Sequence, residues 1–209
     1  MNILHISASP RGLRGDSYRL SEHVVQCLRA RYPHAQVTER ALWEMALAPV
    51  DAIYADALSG SAPEGEATIR SDATACSDRL IGELEAANVL VIGTPVHNLT
   101  VPSVLKTWID HVVRIHRTVR PTPLGKVGML PDRPVYIAVT SGGWRTGTKA
   151  RNPDFFEPYL NAVLGMVGLH NLTFFSMEGM ALGEEKAALA RREAYAAVDG
   201  HFNALPITA

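Results

Sequence analysis

The 209-residue sequence lacks long apolar runs and any strong excess of charge of one sign. No apolar stretch reaches the roughly 20 residues that a membrane-spanning helix needs, and no short apolar segment follows a charged N-terminal region as in a secretion signal. The formal net charge of −1 gives no reason to expect nucleic acid or an anionic membrane as a partner. These absences predict a soluble cytoplasmic protein that acts on small molecules or binds other proteins.

Cysteine is scarce, since the chain has only Cys27 and Cys76. Each falls within a helical pattern, and the two lack the short spacing of a metal-binding pair. We therefore expect both to be small, reduced apolar side chains, and we expect no metal site. The tripeptide at 14–16 spells the adhesion motif RGD, but adhesion needs an extracellular setting, which the sequence does not indicate.

Short apolar segments alternate with longer stretches of helical periodicity along the chain. The continuous apolar run Val89–Gly93 is typical of a parallel strand that is buried on both faces. The run Pro134–Thr140 has the same character. The complete set of predicted strands is Asn2–Ser7, Gln36–Leu42, Val89–Gly93, Pro134–Thr140 and Leu172–Ser176.

Five helices are predicted between and after these strands, because apolar residues recur there every three or four positions. Pro102 suits the first turn of the third helix, since an N–H group at that position has no helical partner. The approximate limits of the helices are 20–32, 80–85, 102–112, 155–167 and 184–201. Strands and helices in alternation predict an α/β fold: a single domain over residues 1–209, in which a doubly wound five-stranded parallel sheet carries helices on both faces.

Two connections are longer than the two to six residues usual in such folds. The first, over 48–74, is expected to be irregular except for a short helix near 51–58. The second covers 117–131. Each is either a functional cover over the ligand site or a loose surface segment, and the sequence does not decide between these possibilities.

In an open parallel sheet the ligand lies beyond the carboxyl ends of the strands, where the strand order reverses. The loops after the first, third and fourth strands read SASPRGLRGDS, TPVHNLT and TSGGWRTG. The first loop leads directly into a helix N-terminus, whose unpaired N–H groups and partial positive charge favour an anion. Its hydroxyls, glycines and arginines are the candidate phosphate-binding residues: Ser9, Arg11, Gly12, Arg14, Gly15 and Ser17.

The first loop is equally compatible with an ordinary helix start, in which Asp16 or Ser17 caps the helix and the arginines are solvated. Two nucleotide-binding motifs are absent from the chain: the GxGxxG fingerprint of dinucleotide-binding domains and the GxxxxGK[ST] loop of P-loop nucleotidases. Phosphate binding through hydroxyls and arginine is typical of flavodoxin-like flavoproteins instead. In the third loop, bare backbone at 141–143 could press against a flat ring, with Trp144 as a possible stacking surface.

At these loops the sequence resembles the FMN-dependent NADH azoreductase and quinone reductase family, within the flavodoxin-like superfamily. The matching stretches, in chain order, are SPRGLRGDSYRL, SDRLIGELEAANVLVIGTPVHNLTVPSVLKTWIDHVVR, RPVYIAVTSGG and DFFEPYLNAVLGMVGLHNLTFFSMEGMALG. The second stretch is the most specific. Together they cover most of the chain.

The resemblance implies one noncovalent FMN held by three loops. Its phosphate would lie at Ser9, Arg11, Gly15, Asp16 and Ser17, and its ring at Pro95, Val96, His97, Asn98 and Leu99, with Ser141, Gly142 and Gly143 along the polar edge. The resemblance also implies a homodimer that takes a hydride from NADH or NADPH and passes two electrons to a quinone or azo compound in a ping-pong sequence. It assigns no side chain a catalytic role.

The sequence departs from the family pattern at several of these positions. Gly15 and Asp16 stand where serine and glutamine are common, Val96 and His97 replace methionine and tyrosine, and an arginine usual after Ser141 is missing. An acid beside an expected phosphate is unusual, so we predict that Asp16 contributes its backbone N–H and turns its carboxylate away. Two alternatives remain open: a flavodoxin-like electron carrier that needs a protein partner, and an FMN-free binding module of the same fold.

Overall fold

The computed structural model describes residues 1–59 and 67–205. Residues 60–66, part of the segment predicted to be irregular, and 206–209 lie outside the description. A five-stranded parallel sheet forms its centre, which confirms the predicted fold class. The strands of this sheet are β1 Asn2–Ser7, β2 Gln36–Ala41, β3 Val89–Pro95, β6 Val135–Thr140 and β7 Leu172–Met177. Their order across the sheet is β2-β1-β3-β6-β7.

Helices cover both faces of the sheet, as the alternation in sequence predicts. They are α1 Asp16–Arg31, α2 Ala52–Ser59, α3 Ala67–Ala86, α4 Ser103–Val112, α5 Phe156–Val167 and α6 Glu184–Ala204. One apolar core lies between the sheet and α3, α4 and α5, and the other between the sheet and α1 and α6. Along β3, Leu90 and Ile92 enter the first core and Val89 and Val91 enter the second, because successive strand residues face opposite sides. Within the described residues, no helix is long and apolar enough to cross a membrane.

One local expectation is wrong, one element was not predicted, and one alternative is not observed. Helix α3 begins at Ala67, so the last part of the segment 48–74 is helical and not irregular. The helix was missed because the sequence of its first turns is mostly small and polar and shows no apolar stripe, although alanine favours helix. The connection 117–131 contains a hairpin of two strands, β4 Val119–Thr122 and β5 Gly125–Gly128. The alternative in which Asp16 or Ser17 caps α1 is not observed: the cap is Gly15, and within the described residues no side chain makes a capping hydrogen bond there.

Helix α5 ends in a Schellman motif at Gly168. The N–H of Gly168 donates to the carbonyl of Gly165, and the N–H of Leu169 donates to the carbonyl of Leu164, both at 3.0 Å. Gly168 has a φ of +108°, and a Cβ added there would lie 2.4 Å from the carbonyl oxygen of Leu130. Both the backbone conformation and the close approach therefore require glycine.

We expect Gly168→Ala to lower the free energy of unfolding by about 2–4 kcal/mol, because left-handed strain adds to a clash with backbone that cannot rotate away. In thermal unfolding this corresponds to a fall in Tm of roughly 5–15 °C. Gly200→Ala is the control, since a Cβ there meets nothing within 4 Å and alanine is the better helix former. Equal Tm values for the two variants would contradict the expectation.

Candidate functional site

A cavity of about 400 Å³ opens at the carboxyl ends of β1, β3 and β6. The order β2-β1-β3-β6-β7 reverses direction between β1 and β3, so the cavity lies at the predicted ligand position. Ten of the thirteen predicted site residues line it: Ser9, Arg11, Gly15, Asp16, Ser17, Pro95, Val96, His97, Ser141 and Gly142. Sequence reasoning missed the remaining lining residues, Pro10, Thr140, Met180, Ala181, Glu184 and Arg191.

The other three predicted residues lie to one side of this cavity. Leu99 and Gly143 line an adjoining cavity of about 130 Å³, and Trp144 lines it too. Trp144, the suggested stacking surface, therefore does not line the larger cavity. Asn98 lines neither cavity. Asn98 and Leu99 have φ values of 48° and 71° and form the tip of a two-residue turn closed by mutual hydrogen bonds between His97 and Thr100. This tight turn carries Asn98 away from the strand ends.

The N-terminus of α1 leaves a buried hydroxyl group without a partner. Ser17 is 1% exposed, and its Oγ makes no hydrogen bond within the described part of the chain. An unpaired buried hydroxyl costs free energy unless a ligand or water satisfies it. Because Ser17 lines the cavity and the first N–H groups of α1 are uncapped by side chains, this end of the cavity is suited to an anion.

Gly15 brings the loop backbone into close contact with Ser9. A Cβ added at Gly15 would lie 2.1 Å from Ser9 Oγ and 2.9 Å from Ser9 Cβ. Ser9 Oγ in turn accepts a hydrogen bond of 3.2 Å from the N–H of Arg11. A short 3-10 helix, Gly12–Arg14, closes the loop just before α1. The chain is therefore packed as tightly as glycine permits around the anion-suited end of the cavity.

The carboxylate of Asp16 is paired with an arginine from the far end of the chain. Arg191 Nε donates to Asp16 Oδ1 at 2.8 Å, and Arg191 Nη1 donates to Glu184 Oε1 at 2.8 Å. The hydrogen bond to Asp16, and after it the hydrogen bond to Glu184, raises the pKa of Arg191 above its already high value. The guanidinium group therefore stays charged. All three side chains line the cavity. The negative charge of Asp16 is thus compensated within the site.

The two remaining loops are joined to each other and to the segment after β7. The N–H of Val96 donates to the carbonyl of Thr140 at 2.8 Å. The carbonyls of the third loop accept hydrogen bonds from the segment after β7, in the pairs Met180 to Ser141, Ala181 to Gly142 and Gly179 to Gly143. Because its carbonyl groups accept hydrogen bonds from the segment after β7, the third loop is fixed in place and forms a stretch of small residues at the cavity wall.

Arg145 fixes the chain just beyond the third loop, although no feature of the sequence singled it out. It is 8% exposed, and its guanidinium contacts Asp154 Oδ2 at 2.6 Å and Glu157 Oε1 at 3.3 Å. It also donates to Ser176 Oγ in β7 at 3.2 Å. Removing one partner of such a buried ion pair lowers the free energy of unfolding by several kcal/mol. Through these contacts Arg145 holds the third loop to α5 and β7.

Comparison with known proteins gives relatives over nearly the whole chain. The family model described as "Flavodoxin-like fold" matches residues 1–202. The chain is 44% identical over 197 residues to FMN-dependent NADH:quinone oxidoreductase 4 of Pseudomonas fluorescens, covering 94% of this chain and 93% of that protein. It is 44% identical over 180 residues to FMN-dependent NADH:quinone oxidoreductase 5 of Burkholderia lata, covering 86% of each. A solved azoreductase structure from Bacillus anthracis has a TM-score of 0.86 at 23% identity, over 98% of this chain and 100% of that one, which supports the fold.

Proposed function

The chain belongs to the flavodoxin-like family that includes the FMN-dependent NADH:quinone oxidoreductases, and on this premise we propose that it is an FMN-dependent NADH oxidoreductase acting on quinones and azo compounds. When bound, FMN supplies the two-electron chemistry between NADH and the acceptor, in a ping-pong sequence. The observation that carries the proposal is the unpartnered Ser17 hydroxyl at the N-terminus of α1, inside a cavity at the strand ends. In this proposal the whole chain forms one FMN-binding domain.

The phosphate end of the proposed site is the loop from Ser9 to Ser17. The Ser17 hydroxyl and the first N–H groups of α1 would donate to the phosphate, and the helix dipole would favour its negative charge. Arg11 lines the same cavity and adds a positive charge. Asp16 would contribute its backbone N–H, because its carboxylate is already paired with Arg191.

The ring end of the proposed site lies between the second and third loops. Val96 offers apolar contact and Pro95 fixes the backbone beside it. The N–H groups of Gly142 and Gly143 are the candidate donors to the polar edge of the ring, since their carbonyls face the segment after β7. Such donors would stabilise negative charge on the ring, so the protein needs no side-chain acid or base, and His97 is given no catalytic role.

Both alternatives are less well supported than the enzyme. An electron carrier would not need NADH, whereas the curated relatives are named FMN-dependent NADH:quinone oxidoreductases. An FMN-free binding module was suggested by Asp16 and by the arginine missing after Ser141. The Asp16 carboxylate is paired with Arg191, which also pairs with Glu184. The pairing removes the main electrostatic objection to FMN.

We also propose that the enzyme is a cytoplasmic homodimer. Large apolar side chains are exposed near the cavity mouth and on the hairpin, among them Leu99, Phe155, Leu124 and Met129, and association would cover such surface. Light scattering during size-exclusion chromatography should give twice the 22.7 kDa of one chain. A mass of one chain at micromolar concentration would contradict this part of the proposal.

The experiment that tests the function is a visible spectrum of the purified protein, recorded anaerobically before and after NADH. We expect flavin absorption that bleaches with one equivalent of NADH and returns when a quinone or an azo dye is added. A parallel titration with NADPH determines the donor preference. Flavin that only dithionite bleaches would identify an electron carrier, and a protein that binds no flavin after FMN is added would contradict both flavin-dependent functions.

A further inference from the structure

A buried histidine on the other side of the first loop faces two carboxylates. His5 lies on β1 and is 2% exposed, Glu39 is its register partner on the neighbouring strand β2, and Glu22 approaches from α1. The ligand atoms of the three side chains lie within 4.8 Å of one another. Three regular elements thus direct one imidazole and two carboxylates to one point.

Hydrogen bonding fixes which nitrogen of His5 carries the proton. The Ser21 hydroxyl donates to the carbonyl of Tyr18 at 2.8 Å, so it has no second hydrogen to give. It must therefore accept from Nε2–H of His5, which lies 2.8 Å away. The lone pair of Nδ1 is left facing Glu22 Oε2 at 3.8 Å, beyond hydrogen-bond distance. Burial lowers the pKa of His5 to about 4, which keeps the ring neutral.

Two carboxylates lie close to this lone pair, that of Glu22 partly buried and that of Glu39 exposed. Burial raises the pKa of Glu22, and the charge of Glu39 raises it further, whereas a hydrogen bond from Gln26 and the charge of Arg29 lower it. Burial also raises the pKa of Tyr18, again with contributions from Glu39 and Glu22. Arg40, the next residue after Glu39, pairs with Glu83 instead. Three acceptor groups therefore lie close together, and within the described residues Glu22 receives only a long hydrogen bond of 3.5 Å, from Gln26.

A small cavity of about 60 Å³ adjoins the same group. It is lined by His5, Glu39 and Tyr18, and also by Ser7. Ser7 is 2% exposed, and its Oγ makes no hydrogen bond within the described residues. A buried hydroxyl without a partner, in the lining that it shares with His5 and Glu39, indicates that this space holds something polar.

We propose that His5, Glu22 and Glu39 bind a divalent first-row transition-metal ion, contrary to the expectation from the sequence that the chain has no metal site. One imidazole and two carboxylates are a common ligand set for such ions, and the two carboxylates balance the charge of a divalent cation. Ligand bonds of about 2.0–2.2 Å require ligand atoms to approach within ~3–3.5 Å of each other, which small rotations of the glutamate side chains allow. Ser21 has the role of the outer partner that orients a metal-bound histidine, and water completes the coordination beside Ser7.

The test is a titration of the FMN-loaded protein with Mn²⁺, followed by the loss of the free-ion EPR signal. Mn²⁺ is the probe because a second group, His23, Cys27 and Asp199, contains a thiol, which favours softer ions. We expect one saturable site per chain that Glu39→Gln weakens at least tenfold. Ser21→Ala should weaken it by roughly 10–100-fold through the orientation of His5.

The matched control is Glu44→Gln, which removes a carboxylate from the lining of the same small cavity but outside the ligand group. Its Mn²⁺ affinity should stay within twofold of the unmodified protein, and every variant should retain the unmodified flavin spectrum in the absence of metal. Glu39→Gln and Glu44→Gln should also retain the Tm, whereas Ser21→Ala leaves Nε2–H of His5 without its acceptor and should lower the Tm. Equal weakening by Glu39→Gln and Glu44→Gln would show nonspecific attraction and overturn the proposal. Failure to saturate below roughly 1 mM Mn²⁺ would overturn it as well.

Discussion

Gly15→Ala should weaken FMN binding at least 100-fold, which is about 2.8 kcal/mol. Gly15 has a φ of −71°, which alanine adopts freely, so the effect is purely steric. The new Cβ would lie 2.1 Å from Ser9 Oγ and 3.3 Å from the carbonyl oxygen of Gly12. Rotation of the Ser9 hydroxyl would break its hydrogen bond from the N–H of Arg11 and would still leave Ser9 Cβ 2.9 Å from the new atom. The loop must therefore move off the end of α1, where the phosphate is proposed to lie.

Quenching of FMN fluorescence during titration of the apoprotein measures this loss. Gly82→Ala is the matched control, because a Cβ at Gly82 meets nothing within 4 Å and the residue lies in α3, outside the cavity lining. Its FMN affinity should stay within twofold of the unmodified protein. Binding by Gly15→Ala within threefold of the unmodified protein would contradict the role of this loop.

Arg191→Gln should weaken FMN binding at least tenfold, and adding Asp16→Asn should restore most of the loss. Arg191 pairs with both Asp16 and Glu184 at the cavity wall. Without it, the Asp16 carboxylate stands uncompensated at the first residue of α1, beside the proposed phosphate. In the double variant this repulsion is absent, so the two substitutions should show a coupling of about 1.4 kcal/mol or more.

Riboflavin separates electrostatics from misfolding in this cycle, because it has the same ring but no phosphate. Its affinity should change less than threefold in all three variants. An Arg191→Gln variant that binds FMN normally would show that the pair does not affect the phosphate. If Asp16→Asn alone tightened FMN binding more than tenfold, the carboxylate would have to face the phosphate in spite of Arg191.

The sheet was predictable from sequence because its strands are short apolar runs such as Val89–Gly93, whose burial on both faces leaves few alternatives. The position of the cavity could also be predicted, because alternating strands and helices imply a parallel sheet whose strand order reverses at one point. Helix α3 was predicted too short because its first turns have no apolar stripe. The hairpin β4–β5 was not predicted, because its four-residue strands Val119–Thr122 and Gly125–Gly128 show no clear alternation of apolar and polar residues.

The composition of the cavity wall was less predictable. Arg191 lies 175 residues after Asp16, in an alanine-rich helix whose pattern indicates only packing, so nothing local connects the two. The sequence showed that an acidic residue, Asp16, is unusual beside a phosphate, but it could not show which residue pairs with it. The turn that moves Asn98 aside depends on positive φ values that non-glycine residues seldom adopt, and for that reason the pattern PVHNL did not predict it.

A crystal structure of the protein with bound FMN would decide where the cofactor binds. We expect the phosphate within hydrogen-bond distance of the Ser17 hydroxyl and the N–H groups that begin α1. We expect the ring between the loop at Pro95–His97 and the loop at Ser141–Gly143, with the Asp16 carboxylate still paired to Arg191. Density for FMN at any other place, or a phosphate that leaves the Ser17 hydroxyl without a partner, would contradict the proposed FMN site.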